Sequence, residues 1–406
     1  MLELEYSMGY LDSVRRELAG LWSGGKGKSL IAIAVAWGLL VGTRMIYPPL
    51  LPYFSDDFGL TLTTAGLLVS IIWLAQSIGQ VPGGILADRY SERKILTASV
   101  SVTVVGLAVV VSAPSALVLF AATAVVGFGL SQYPVARMTM LSDLYPSRLG
   151  RALGMTMASA DLGQTVLPPI ASVLAVVVGW QFGLGYVLPF LCLSVVGLWW
   201  TLPKSEPEDD GTAESNASIR EVVAELCSPT IAIMGVMLFL FLFVWQTFSA
   251  FYPTYLVDEK GLSPPVAGAL FGLFFAAGVV VKPLAGAAYD RVGIRRSLPV
   301  VLGGSIVGLA VLPFVDGVAA LVGVTVLIST MLGNGAITQS YLTEIISNDV
   351  QGTGLGLVRS STGMLSAGGP VVFGAVAQRG YFDEGYVMLA VVVAVVTALT
   401  LLLPDG

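Results

Sequence analysis

The chain has 406 residues, of which 55% are hydrophobic and only 11% charged; its formal net charge is −6 and it contains no histidine. A soluble domain carries about 25% charged residues. The composition therefore excludes a soluble globular chain, a disordered one, and a nucleic-acid binder, which would need a basic surface.

In chain order, residues 1–28 come first as a polar segment. Tyr10, Leu11, Val14, Leu18 and Leu21 share one helical face there, which predicts a short amphipathic helix lying on the inner leaflet. The first long apolar run begins near Ser29, too far in for a cleaved signal peptide. A spanning helix needs about 20 mostly apolar residues. Such runs occupy 29–53, 62–87, 95–113, 116–141, 151–178 and 183–202, which make a first bundle over 29–202. An acidic linker, 203–228, follows. A second bundle, 229–406, holds runs at 229–254, 264–288, 297–315, 317–342, 353–376 and 385–404. The pattern predicts an all-α membrane protein of twelve transmembrane helices. The alternating short segments of a membrane barrel are absent. Cys192 lies in an apolar run and Cys227 in the linker, so no disulfide is expected. Without histidine, and with no ligand cluster in view, no metal and no cofactor is expected either.

Basic residues set the orientation. Arg15, Arg16, Lys26, Lys28, Arg89, Arg93, Lys94, Arg148, Arg151, Lys204, Arg220, Arg291, Arg295 and Arg296 fall on one side, and only Lys260 and Arg379 on the other. The reading is a multi-pass protein of the cell (inner) membrane with both termini cytoplasmic.

The chain also repeats itself. Slid by 202 residues, the distance from Tyr53 to Tyr255, Asp56, Gly59 and Leu60 meet Asp258, Gly261 and Leu262. Gly84, Asp88, Arg89 and Arg93 likewise meet Gly286, Asp290, Arg291 and Arg295. Two pseudo-symmetric six-helix halves follow, an architecture that places a substrate site near the midplane between them.

The stretch from Gly84 to Lys94 resembles the signature loop of the major facilitator superfamily, Gly-x-x-x-Asp-Arg-x-Gly-x-Arg-Arg/Lys, between spans 2 and 3. The copy from Gly286 to Arg296 fits it fully; the first copy departs at Ser91, where a second glycine is usual. Asp143, Tyr145, Pro146, Arg148 and Arg151 resemble the family's loop between spans 4 and 5. The resemblance implies the superfamily's fold and alternating access. It also implies a cytoplasmic gate built from Gly84, Asp88, Arg89, Arg93, Asp143, Gly286, Asp290, Arg291, Arg295 and Glu344. The physical ground is that cations stabilise helix C-termini and can pair with these carboxylates.

Charges inside a bilayer are costly and default to function. Arg44 in span 1, Lys282 in span 8 and Arg359 in span 11 are three deep cations against one deep anion, Asp161 in span 5. Arg137 lies nearer the inner end of span 4. The surplus of cations favours an anionic cargo, which Arg can hold through two parallel hydrogen bonds. Lys282 and Arg359 sit where the oxalate and monocarboxylate branches of the family are similar. Tyr47, Gln132, Trp245, Gln246 and Asn334, on spans that face the family's cavity, complete the candidate substrate site. Asp161 is the candidate proton carrier, or else an internal ion-pair partner of Arg44 or Arg137.

The sequence thus points to a secondary active transporter, working as a monomer, for a small organic or inorganic anion. It would run by proton symport or by anion exchange, with a proton or counter-substrate and the lipid bilayer as its partners. Two rivals stand beside it. One is a proton-coupled exporter of drugs or amphipathic compounds, although span 5 lacks the Gly-Pro pattern of those branches. The other is a sensor with a transporter's shape. An enzyme is not expected, because no nucleophile–base pair stands out.

Overall fold

The computed structural model describes residues 22, 26–204, 228–346 and 351–404, with the backbone alone over 81–89 and 351–355. The expected amphipathic helix before residue 22 and nearly all of the linker lie outside the described residues. Among those described, only helices and turns occur. Spans 1 to 5 are Lys26–Phe58, Leu62–Arg89, Glu92–Val111, Ala116–Leu144 and Leu149–Val177. Span 6 is two pieces, Trp180–Gly185 and Leu188–Thr201. Spans 7 to 9 are Pro229–Asp258, Pro264–Val292 and Ile294–Val311. Span 10 runs Val318–Ser329 and Asn334–Ile345 around a 3-10 turn, and span 12 is Phe382–Leu399.

Span 11, like spans 6 and 10, is not one unbroken helix. It is divided into Gln351–Ser366 and Gly369–Ala377. Gly368, Gly369 and Pro370 lie at the break, with Pro370 in the first turn of the second piece. Proline has no N–H to give the preceding turn, and glycine adds little helix preference. For this reason eleven spans, not twelve, are single stretches long and apolar enough to cross a bilayer among the described residues.

The repeat is visible in the turns. Gly59 after span 1 and Gly261 after span 7 both take the left-handed conformation, with φ of 64° and 63°. These equivalent positions need glycine because other L-residues are strained there. The two signature loops differ at the same level of detail. Gly293 turns with φ 70°, whereas Ser91, its counterpart, makes an extended N-cap with φ −61° and ψ 141°. The missing glycine of the first loop is thus accommodated by a different turn.

Small residues let helices meet backbone to backbone. A Cβ on Gly163 would lie 2.0 Å from the Gly38 carbonyl oxygen, which brings spans 1 and 5 together. Between the halves, a Cβ on Gly66 would meet the Pro370 carbonyl at 2.3 Å, and one on Gly374 the Leu62 carbonyl at 2.3 Å. Spans 5 and 8 close in the same way, through Gly268 against Ser172 and Gly272 against the Thr165 carbonyl and Pro169. Thr63 donates to Gln378 at 2.6 Å across the same face. The contacts between the halves lie toward the side away from the termini, here termed outer. At the inner ends, Lys26 bonds to the Leu144 carbonyl, Tyr289 to Glu344, and Arg295 to the Leu401 carbonyl, each of these within one half. Among the described residues, close approaches between the two halves are found on the outer side.

Tyr255, near the outer end of span 7, is fully buried. Its hydroxyl donates to Asp383, and its ring packs on Phe382 and Tyr386.

Close packing at Gly163 generates a test. Gly163→Ala is expected to cost about 1–3 kcal/mol by overpacking, while Gly235→Ala, which has open space around it, costs little. Thermal unfolding in detergent reads the difference; equal midpoints for the two variants would contradict the packing described.

Candidate functional site

Four charged side chains lie well inside the spans. At 1.5 Å per residue, Arg359, Lys282, Asp161 and Arg44 sit about 12, 15, 18 and 27 Å from the inner ends of their helices. Prolines loosen the backbone beside them. Pro48 removes the helical partner of the Arg44 carbonyl, and Pro169 that of the Thr165 carbonyl approached by Gly272.

Arg44 is half-buried on span 1. Its Nη1 donates to Gln76 Oε1 at 2.7 Å, and its guanidinium lies 3.9 Å from the centre of the Trp73 ring. Trp73 meets Trp245 of the other half edge to face, at 5.1 Å between centroids. A cation over an aromatic face is attracted by the ring's negative face. The Nε atoms of Arg44 and the Nε1 of Trp245 are buried donors without a partner. Trp245 therefore lies beside Trp73 and, through it, the Arg44–Gln76 bond; Trp73 and Gln76 are two residues that the sequence reading did not single out. Their only signal was a three-residue spacing, which puts both on one face of span 2.

Lys282 of span 8 pairs with Asp161 of span 5 at 2.5 Å, with the side chains 35% and 15% exposed. Gln164 lies 3.5 Å from the same carboxylate oxygen. The expectation that Asp161 would pair with Arg44 or Arg137 is corrected: its partner comes from the opposite half. Relative helix height decides this, and a repeat in sequence does not report it.

Arg359 of span 11 is exposed, and its Nη2 donates to the neutral Gln339 of span 10. Among the described residues neither Arg359 nor Arg44 has a carboxylate within ion-pair distance. Nearby, Gln246 donates to Ser366 at 3.1 Å, joining spans 7 and 11, while its Oε1 and the Asn334 Oδ1 are buried acceptors without partners. Gly363, one turn outward of Arg359, would place a Cβ 3.1 Å from the Ser77 hydroxyl of span 2. Arg44, Trp73, Gln76 and Trp245 thus form one group of contacts across spans 1, 2 and 7, the Asp161–Lys282 pair a second across spans 5 and 8, and Arg359 with Gln339 a third on spans 11 and 10.

Other expected site residues are placed elsewhere. Arg137 is only 4% exposed, so it does not reach to the headgroups. It donates to Thr156 at 2.8 Å and lies 4.4 Å from the Trp37 ring, inside the first half. Tyr47 is wholly buried against Phe54 and presents no surface to a cargo. Gln132 donates to the Gly79 carbonyl at 2.6 Å, a bond between spans 4 and 2 rather than a site contact. At the gate, Arg93 is buried over Trp199, 4.3 Å away. Tyr289 donates to Glu344 at 2.7 Å. Asp290, Arg291 and Arg295 line, with Glu344, a cleft of about 630 Å³ at the second signature loop. Asp143 is exposed, and Gly286 has open space around it. The side chains of Asp88 and Arg89, and residue Gly84, lie in the stretch where only the backbone is described.

With this geometry in hand, similarities to known proteins can be weighed. The model of the Major Facilitator Superfamily matches residues 33–342 and 234–406. The chain is 26% identical to the "Probable sulfoacetate transporter SauU" of Cupriavidus necator, over 82% of this chain and 83% of that one. It is 25% identical to the sialic acid transporter NanX of Escherichia coli, over 87% of each. In fold it is similar to a bacterial homolog of the human lysosomal transporter Spinster in an inward-facing, unoccupied conformation. That match has a TM-score of 0.77 and 15% identity, and covers 94% of this chain and 97% of the other.

The Arg44–Gln76 bond gives a direct test. Gln76→Leu leaves a buried guanidinium donor unpaired, with an expected loss of about 1–3 kcal/mol. Adding Arg44→Met should restore part of that loss in thermal unfolding. Losses that simply add would show the bond to be idle.

Proposed function

The chain belongs to the Major Facilitator Superfamily and is a secondary transporter; from that premise we propose that its cargo is a small organic or inorganic anion. The observation that carries this is the imbalance of charge between the halves. Arg44 and Arg359 have no carboxylate partner among the described residues, and Asp161 neutralises only Lys282. A buried cation left alone costs several kcal/mol, and an anion supplies the missing charge. Arg359 is the exposed one of the two, so it makes the first contact. Arg44 lies deeper and offers its free Nε. Trp245 and Gln246 supply one unpaired donor and one unpaired acceptor for the rest of the cargo. Relatives described as carrying sulfoacetate and sialic acid support the same chemistry.

Alternating access then follows from the seal. The structure is closed on the outer side, and the anion exchanges with the inner side, which the excess of Lys and Arg assigns to the cytoplasm of a cell carrying the protein in its inner membrane. The signature-loop residues Asp88, Arg89, Arg93, Asp143, Asp290, Arg291, Arg295 and Glu344 form the latch that joins the inner ends when the outer side opens. In the state described here, Arg93 lies over Trp199 and Glu344 accepts from Tyr289, each inside its own half. The transporter works as a monomer, with a proton or a second anion as the coupled species.

The experiment is a thermal-shift screen of purified protein with matched carboxylates, sulfonates, neutral sugars and lipophilic cations. A ligand at 100 times its dissociation constant stabilises by about 2.7 kcal/mol. A small carboxylate or sulfonate is expected to raise the midpoint, and Arg359→Gln to abolish the shift. Stabilisation by lipophilic cations alone, indifferent to Arg359, would sink the anion reading.

A further inference from the structure

We propose that the break in span 11 is a binding site for one sodium ion, held by oxygens of spans 7 and 11. The site goes beyond the anion reading and stands without it.

A helix that stops inside a membrane leaves its last carbonyls without partners, and its dipole puts partial negative charge there. The first piece of span 11 stops at Ser366, about 22 Å from its inner end at 1.5 Å per residue. Among the described residues no backbone N–H reaches the carbonyls of Ser366 or Ala367, and Pro370 has none to give. Both residues are buried, at 0% and 2% exposure. In hydrocarbon such groups need a partner. The proline alone does not cause the stop. At the repeat spacing Pro370 answers to Pro168, yet span 5 runs through Pro168 and Pro169 as one helix.

Span 7 faces the break and brings further oxygens. The two spans run in the same direction, with Thr247 against Gly369, and Phe251 against Phe373 and Gly374. Gln246 lies about 25 Å from the inner end of span 7, close to the depth of Ser366. Its Nε2 donates to Ser366 Oγ at 3.1 Å, which fixes the amide at the break with its Oε1 unpartnered. Thr247 Oγ1 is 2.6 Å from where a Cβ on Gly369 would stand, and it too has no partner. Gln246 and Thr247 are 2% and 0% exposed. Four buried oxygens without a hydrogen bond therefore gather at one break: the carbonyls of Ser366 and Ala367, Gln246 Oε1 and Thr247 Oγ1.

The chemistry of this set selects its ligand. Two carbonyls and an amide oxygen can only accept, so an anion is excluded. A single water has only two protons to give them, whereas a cation answers all of them at once. None of the four oxygens belongs to a carboxylate, which a calcium site would supply. A monovalent ion fits, and unwound carbonyls at the end of a half-helix are the ligands that hold sodium in other transporters with broken helices. The repeat supports a positive charge here, because Gln246 stands at the position that Arg44 fills in the first half. One half carries its cation on a side chain, and the other takes it from solution. Gln246 is also where the cargo site adjoins, so the ion puts positive charge beside the anion.

Binding of radioactive sodium to purified protein in detergent, read by scintillation proximity, tests the site. No cargo is present, so its failure is separate from failure of the anion reading. Saturable binding is expected, displaced by unlabelled sodium chloride and not by potassium chloride or choline chloride. Thr247→Val removes one oxygen at nearly constant shape and should weaken binding about tenfold. Gln246→Leu should do the same. Thr254→Val also deletes a buried, unpartnered hydroxyl from span 7, two turns further out, and should bind like the parent. Sodium chloride should also raise the parent's unfolding midpoint above its value in choline chloride, and raise that of Thr247→Val less. A parent that binds no sodium, with an unmoved midpoint, would overturn the proposal and leave the acceptors to water. So would undiminished binding in both Thr247→Val and Gln246→Leu, or displacement by potassium on equal terms.

Discussion

Everything in this chain is arranged around the cost of placing charge in hydrocarbon. Four ionised side chains stand deep in the spans, and each is handled differently. Arg44 is laid on an indole and tied to a glutamine. Lys282 is neutralised by Asp161. Arg359 is left exposed, with a neutral amide as partner. A chain that only had to cross a membrane would carry none of them. Their retention inside the spans, with a net surplus of cations, is why the cargo is read as an anion.

The surrounding helices make the junction of the halves able to move. Glycines and prolines cluster where the halves touch: Gly66, Gly268, Gly272, Pro169, Gly374, and the break at Gly368 to Pro370. Backbone-to-backbone contacts seal well because they fit closely. They also separate without stranding charge, since most of their atoms are already bonded within a helix. The aromatic cluster of Phe248, Tyr255, Phe373, Phe382 and Tyr386 does the opposite work, holding the second half together as a body that can rock intact.

Much of this was legible in the amino-acid sequence, for identifiable reasons. The spans were, because lipid demands long apolar runs. The equivalence of the halves was, because Gly59 and Gly261 answer the same conformational need at the same offset. The deep charges stood out because they break the apolar pattern. Their partners did not. Nothing local tells that Asp161 meets Lys282 rather than Arg44, since that depends on how two separate bundles are set against each other. Trp73 and Gln76 are ordinary residues on an apolar helix until Arg44 is placed over them. Tyr47 and Gln132 illustrate the reverse case: polar groups on cavity-prone spans that the fold spends on packing and an interhelical bond.

The central claim is that uncompensated cations select a negatively charged cargo. Currents recorded from proteoliposomes on a solid-supported membrane test it most directly. Rapid jumps of sulfoacetate, glucuronate and sialic acid would be compared with jumps of neutral sugars of similar size. A transient current with at least one of the anions, absent with every neutral sugar and lost in Arg44→Gln, is the predicted result. Transport of a neutral sugar with no response to any anion would contradict the account and leave the buried cations as structural groups.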